Sequence, residues 1–153
     1  MLVLVTAVAA ACSGGAPATF ALNNASVDSR YACPANAKDA PYNLHATIEV
    51  SNGTSSSVTI KSVAAQMTLT ATKGGWLQKV GDKYEAAALK VSPETIGAGR
   101  SSSLQVAIPS TCTGGTNPGA ETNYGEYSVE LTVVTSSGTH KIASKNRHRI
   151  LAG

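Results

Sequence analysis

From Leu44 the apolar residues recur at every second position, so that Leu44, Ala46, Ile48 and Val50 alternate with His45, Thr47 and Glu49. An extended chain sends successive side chains to opposite faces, and this spacing predicts a strand with one dry face and one wet one. The run ends at Ser51-Asn52-Gly53-Thr54, where Asn-Gly takes positive φ at little cost and predicts a chain reversal. Val58 and Ile60 restart the alternation, and Val63, Ala65, Met67 and Leu69 continue it one position out of phase. A bulge near Ser62 reconciles the two halves. Residues 83–91 (KYEAAALKV) have helical propensity, but Ser92-Pro93 and the flanking β pattern favour a strand ending in Leu89 and Val91. After a turn-rich stretch, Leu104, Val106 and Ile108 predict a strand that stops at Pro109. Tyr127, Val129, Leu131 and Val133, then Ser136-Ser137-Gly138 and a return through His140 to Ser144, predict a hairpin.

With about seven short strands, no heptads and no long amphipathic helix, the expectation is an all-β chain folded as an antiparallel sandwich. Composition agrees. Charged residues make up 14% of the 153 residues, against roughly 25% in an average globular protein, and Ser, Thr and Gly are abundant. A hydrophobic fraction of 42% excludes a disordered chain. A net charge of +3, unclustered and without interleaved aromatics, argues against nucleic acid as a partner.

Residues 1–11 (MLVLVTAVAAA) form an uncharged apolar run, too short to span a bilayer but suited to the hydrophobic region of a secretory signal. Val8-Ala9-Ala10-Ala11-Cys12 resembles the lipobox of bacterial envelope lipoproteins, with Ala9 where Leu is usual. The resemblance implies lipidation of Cys12, cleavage before it, and a membrane partner through that anchor. No Lys or Arg precedes the run, so the true start is expected upstream of Met1. An ordinary signal cut near Ala11, leaving Cys12 a free thiol, and a hydrophobic first strand are the alternatives. Residues 12–18 read as a flexible tether and 19–153 as one domain. The implied location is extracytoplasmic, anchored by lipid or else secreted.

Three cysteines are an odd number for an exported chain. Lipidation of Cys12 leaves Cys33 and Cys112 to form a disulfide in an oxidising compartment, the alternative being two unrelated buried thiols. Closing the long loop between them would stabilise the fold by about 4 kcal/mol.

The segment Asn123-Tyr124-Gly125-Glu126-Tyr127-Ser128-Val129 resembles the tyrosine corner of immunoglobulin-like sandwiches. The resemblance covers roughly residues 19–144 and implies that Tyr127 buries its ring and returns its hydroxyl to upstream backbone. Val129 stands where antibody domains carry their second core cysteine, and Trp76 lacks the usual core-strand context.

Candidate chemistry is sparse. No nucleophile elbow or phosphate-cradling loop occurs, so no catalytic residue or cofactor is assigned. Glu49 and Glu130 sit at outward strand positions, where carboxylates usually solubilise. His45, His140 and His148 lack metal-ligand spacing, so no metal site is assigned. Asn24-Ala25-Ser26 and Asn52-Gly53-Thr54 match the glycosylation sequon, idle in a bacterial lipoprotein. Lys141, Lys145, Arg147, His148 and Arg149 suggest a charged edge strand that resists aggregation, or a contact with anionic lipid or cell-wall polymer. Tyr31, Tyr42, Tyr84, Tyr124 and Trp76 lie in or near predicted loops, where they can anchor a partner or cap the core. The function expected is a noncatalytic surface-anchored binding or structural module of the cell envelope, with an unknown protein or cell-wall partner. The alternative is an accessory domain of an extracellular enzyme system, binding carbohydrate or peptide. An exposed aromatic platform would favour the carbohydrate.

Overall fold

The alternation that begins at Leu44 belongs to a strand of 13 residues, β3 (Ala40–Asn52), whose buried positions Leu44, Ala46, Ile48 and Val50 face the interior. A computed structural model describes residues 18–153. The expected signal segment 1–11, the lipidation candidate Cys12 and nearly all of the tether lie outside the described residues. Around β3 the chain forms β1 (Phe20–Val27), β2 (Arg30–Ala32), β4 (Val58–Lys73), β5 (Lys83–Ala86), β6 (Val91–Ser92), β7 (Thr95–Ile96), β8 (Ser101–Cys112), β9 (Tyr124–Thr135), β10 (Gly138–Ala143) and β11 (His148–Leu151).

One sheet has the order β1-β3-β8-β6 and the other β2-β11-β9-β4-β5, with β10 also on β9 and β7 on β4. Every pairing is antiparallel except β2 with β11. Strands β10 and β11 are two halves of one strand, paired in turn with the later and earlier parts of β9. With that pair merged, the two sheets have the A-B-E-D and C-F-G orders of the immunoglobulin sandwich, seven principal strands with β2, β5 and β7 as short additions. Between the sheets lie the inward residues of both, including Leu44, Ile48, Leu69, Leu104, Ile108 and Leu131, all fully buried.

Where the chain changes sheet, local sequence was a poor guide. Asn52-Gly53 does not reverse β3 onto a neighbour; β3 and β4 lie in different sheets, and residues 53–57 carry the chain across. Gly53 sits against Thr19, donating its N–H to the Thr19 carbonyl at 2.9 Å. The bulge near Ser62 is present as a register shift between Ile60 and Ser62. Residues 83–91 hold no helix, and the strand expected there is broken by Ala88 at φ 53° into β5 on one sheet and β6 on the other. Strand β8 continues past Pro109 to Cys112. Its pairing with β6 stops at Val106, and the Pro109 carbonyl turns to that open side to accept from the Tyr84 hydroxyl at 2.8 Å. An imide nitrogen facing an open edge costs no ladder hydrogen bond.

Cys33 follows β2 in one sheet and Cys112 ends β8 in the other, and their disulfide joins the sheets with Cα atoms 5.9 Å apart and 79 residues of separation. It lies at one end of the sandwich. The register runs along β3 from Ala40, opposite Cys112, to Asn52, opposite Phe20. At about 3.3 Å per residue, the entry of the chain at Thr19 and the disulfide are therefore separated by about 40 Å.

Candidate functional site

At the disulfide end, loop 74–82 and segment 113–123 leave a half-open cleft of about 400 Å³ between the sheets. Cys112, Tyr127 and Ile150 contribute its buried lining, Trp76, Leu77 and Gln78 one wall, and Thr113, Gly114 and Gly115 part of the other. Among the described residues Asp39 is its single carboxylate, and no histidine lines it.

The wall is held by close approaches that only glycine permits. Gly74 has φ 74°, and a Cβ there would stand 2.6 Å from the Thr122 carbonyl oxygen. Gly125, on the inward face of β9, lets the indole of Trp76 lie against its Cα; a Cβ would meet Trp76 Cε2 at 2.4 Å. Tyr127 buries its ring as the corner motif implies, but its hydroxyl donates to the Gln78 side-chain carbonyl. The corner bond to upstream backbone is thus replaced by a bond to the loop that walls the cleft. Burial raises the Tyr127 pKa, while the adjacent Trp76 indole works in the opposite direction without closing a hydrogen bond. Trp76 Nε1 is itself buried and unpartnered, as is Asn123 Oδ1, whose amide nitrogen donates to the Ala152 carbonyl at 3.4 Å. Leu77 stands 89% exposed beside them, and Val80, in the same loop, is exposed too.

The remaining candidates are dispersed or occupied. Glu49 and Glu130 are exposed on different sheets, so they form no pair. His45 meets Asp28 at 3.0 Å on the surface, and His140 packs edge-on against Phe20. Among the described residues no three His, Cys, Asp or Glu side chains gather as metal ligands. Asn52 is buried beneath its own hydrogen bonds, which closes that sequon to modification.

The basic run near the chain end is not one charged edge. Strand β11 is flanked by β9 and β2, and His148 is fully buried within it. His148 Nδ1 lies 2.7 Å from the Asp28 carbonyl, which can only accept, so the proton sits on Nδ1 and Nε2 accepts from the Tyr42 hydroxyl at 2.9 Å. Burial lowers the His148 pKa and pushes the Tyr42 phenol up to about 12. Arg149 and Arg147 both bind Glu126, at 2.8 and 3.2 Å, and hold its carboxyl below its ordinary pKa, Arg149 most strongly. Lys141 pairs with Glu130 on β10, which is an edge. Of the aromatics, Tyr31 and Tyr42 stack with centroids 3.9 Å apart, and Tyr124 lies under the Arg149 guanidinium. Trp76 is among the aromatics expected near loops and Asn123 opens the corner motif, whereas Leu77 and Gln78 carry no sequence signal that singles them out.

Fold and site together define a disulfide-stapled, immunoglobulin-like β-sandwich with an open cleft at one end. No protein-family model matches the chain, and no curated protein does. Among solved structures, a structural-genomics target named SoR45 is similar at 14% identity, covering 87% of this chain and 86% of that one, with a TM-score of 0.47. The ASH/PapD-like domain 7 of human CEP192 is similar at 12% identity over 100% of this chain and 98% of that one, TM-score 0.36. The ApaA protein from Bordetella pertussis is similar at 15% identity over 87% and 94%, TM-score 0.41.

Proposed function

We propose that this chain is an exported, noncatalytic binding module of the cell envelope, anchored through a lipid on Cys12, which engages its partner at the cleft beside the disulfide. The observation that carries the reading is the opposition of the two ends. The chain enters the sandwich at Thr19, and the cleft with its exposed Leu77 opens about 40 Å away. A tether on the first end leaves the second facing outward. The disulfide supports export, because such bonds persist in oxidising compartments. A binding role fits a rigid sandwich that displays loops at its end, and among the described residues the lining holds one carboxylate and no histidine to pair with it.

The test is the intact mass of the membrane fraction, measured with and without reduction. A diacylglyceryl adduct on Cys12, with a two-hydrogen deficit that disappears on reduction, is the expected result. An unmodified, reduced chain in the cytoplasm would contradict both anchor and location.

A further inference from the structure

Two buried polar atoms without partners belong to the lining of the same cleft. Trp76 Nε1–H is a donor only, and Asn123 Oδ1 an acceptor only. A buried group left unpaired costs about 1–3 kcal/mol, so a ligand that satisfies both regains that cost on binding. The two are close neighbours in the fold, since the Gly74 turn abuts Asn123 and the Trp76 indole rests on Gly125 two residues further on. One neutral donor and one neutral acceptor complement an extended peptide, in which the C=O and N–H of one residue point to the same side and reach the first and the second together.

Amides occur in peptides and in acetamido sugars, and the rest of the wall discriminates between them. A sugar ring stacks on a broad exposed aromatic face, whereas Trp76, the cleft's one partly exposed aromatic among the described residues, is held against the sandwich. The indole of Trp76 rests with Cε2, Cζ2 and Nε1 against Gly125, and Tyr127 is buried. Elsewhere Tyr31 and Tyr42 cover each other and Tyr124 is covered by Arg149, while the exposed Tyr84 stands alone on β5, outside the cleft lining. The wall instead presents a branched aliphatic side chain: Leu77 is 89% exposed, with Val80 exposed three residues on. Aliphatic surface of this kind is covered by another aliphatic side chain, and a volume of about 400 Å³ accommodates one such side chain with its flanking backbone. Among the described residues no formal cation lines the cleft, so an acidic partner finds no counter-charge there, and Asp39 repels one.

We infer that the cleft receives an extended peptide segment of a protein partner, with the carbonyl and N–H of one residue on Trp76 Nε1–H and Asn123 Oδ1 and an aliphatic side chain against Leu77. This rests on the binding-module reading and specifies its partner. The chain has a single tryptophan, so its indole N–H gives one resolved resonance and reports the site directly.

The experiment follows that resonance in the isotope-labelled, oxidised full chain during titration with N-acetyl-alanyl-leucyl-alanine N-methylamide. A saturable shift in the low-millimolar range is expected, with binding about tenfold weaker for the peptide that carries aspartate at its centre. Asn123→Ala and Leu77→Ser should each weaken binding by about fivefold to tenfold, and Leu77→Ser, at an exposed position, keeps the test valid if Asn123→Ala perturbs folding. Saturation by N-acetylglucosamine, with no response to the leucyl peptide, overturns the peptide assignment while leaving a binding module in place. No saturable shift with either probe overturns the peptide assignment and the cleft as a binding site together.

Discussion

At the entry end of the sandwich the Asn52 side chain is 1% exposed and makes five hydrogen bonds. It donates to the carbonyls of Ser56, Ile96 and Gly97 and accepts from the N–H and hydroxyl of Thr54. At the cleft end the Asn123 side chain has one long bond, from its amide nitrogen to the Ala152 carbonyl, and its Oδ1 has no partner. The contrast extends to the surroundings. Thr135, at the entry end, is buried and engages Ser137 and Gly138, whereas Trp76 at the cleft end keeps a buried, unsatisfied indole N–H beside an exposed leucine. The entry end satisfies its buried polar side chains internally except at His140 Nε2, which lies beside Phe20 without a partner. The cleft end leaves a donor, an acceptor and apolar surface open side by side, the arrangement that the proposed binding role requires.

The largest expected effect is at the staple of the cleft end. Cys33→Ser with Cys112→Ser should lower unfolding free energy by about 4 kcal/mol, read from urea denaturation, because the unfolded chain regains the entropy of a 79-residue loop. A loss that is instead negligible would show that the cleft end holds its shape without the bridge. Gly125→Ala comes next, at about 2 kcal/mol, since the new methyl occupies the space of the Trp76 indole; a red-shifted tryptophan emission should accompany it.

A smaller effect concerns His148, which belongs to neither end cap but ties β11 to the first sheet through Tyr42. Its folded pKa is depressed by burial, so below the ordinary value near 6.5 the unfolded chain takes up the proton more readily. Stability should be full above about pH 6.5 and fall as pH drops toward the folded pKa, a slope that denaturation at several pH values should find and that His148→Phe should flatten. Tyr42 acts in the alkaline direction: its phenol is raised to about 12, so stability should decline once pH passes about 10, where the unfolded tyrosine ionises. Smallest of all, Leu77→Ser should change stability by less than about 0.5 kcal/mol, because the side chain is almost wholly in solvent.

How far the sequence could be read follows the same division. The period-2 runs through Leu44, Leu104 and Tyr127, the phase change at Ser62 and the hairpin at Gly138 are local events, encoded in neighbouring residues, and each has its counterpart in the strands. The disulfide was legible through an accounting of sulfurs. The Asn52-Gly53 crossing was misread because the decisive partners, Ile96 and Gly97, lie more than forty residues away in sequence. Pro109 stays in β8 because of how far β6 extends, and His148 is interior because β2 covers β11; neither fact has a local signature. The cleft depends on Trp76, Tyr127 and Asn123 converging from different segments, with glycines at positions 74 and 125 to let them close.

The division of the two ends is tested most directly by Asn52→Ala and Asn123→Ala, denatured side by side in urea. The first should lose about 3 kcal/mol, from stranding buried carbonyls and the Thr54 donors, and the second less than about 0.5 kcal/mol, because almost nothing was bonded to it. Equal losses would contradict the account, since Asn123 would then be as much a part of the framework as Asn52.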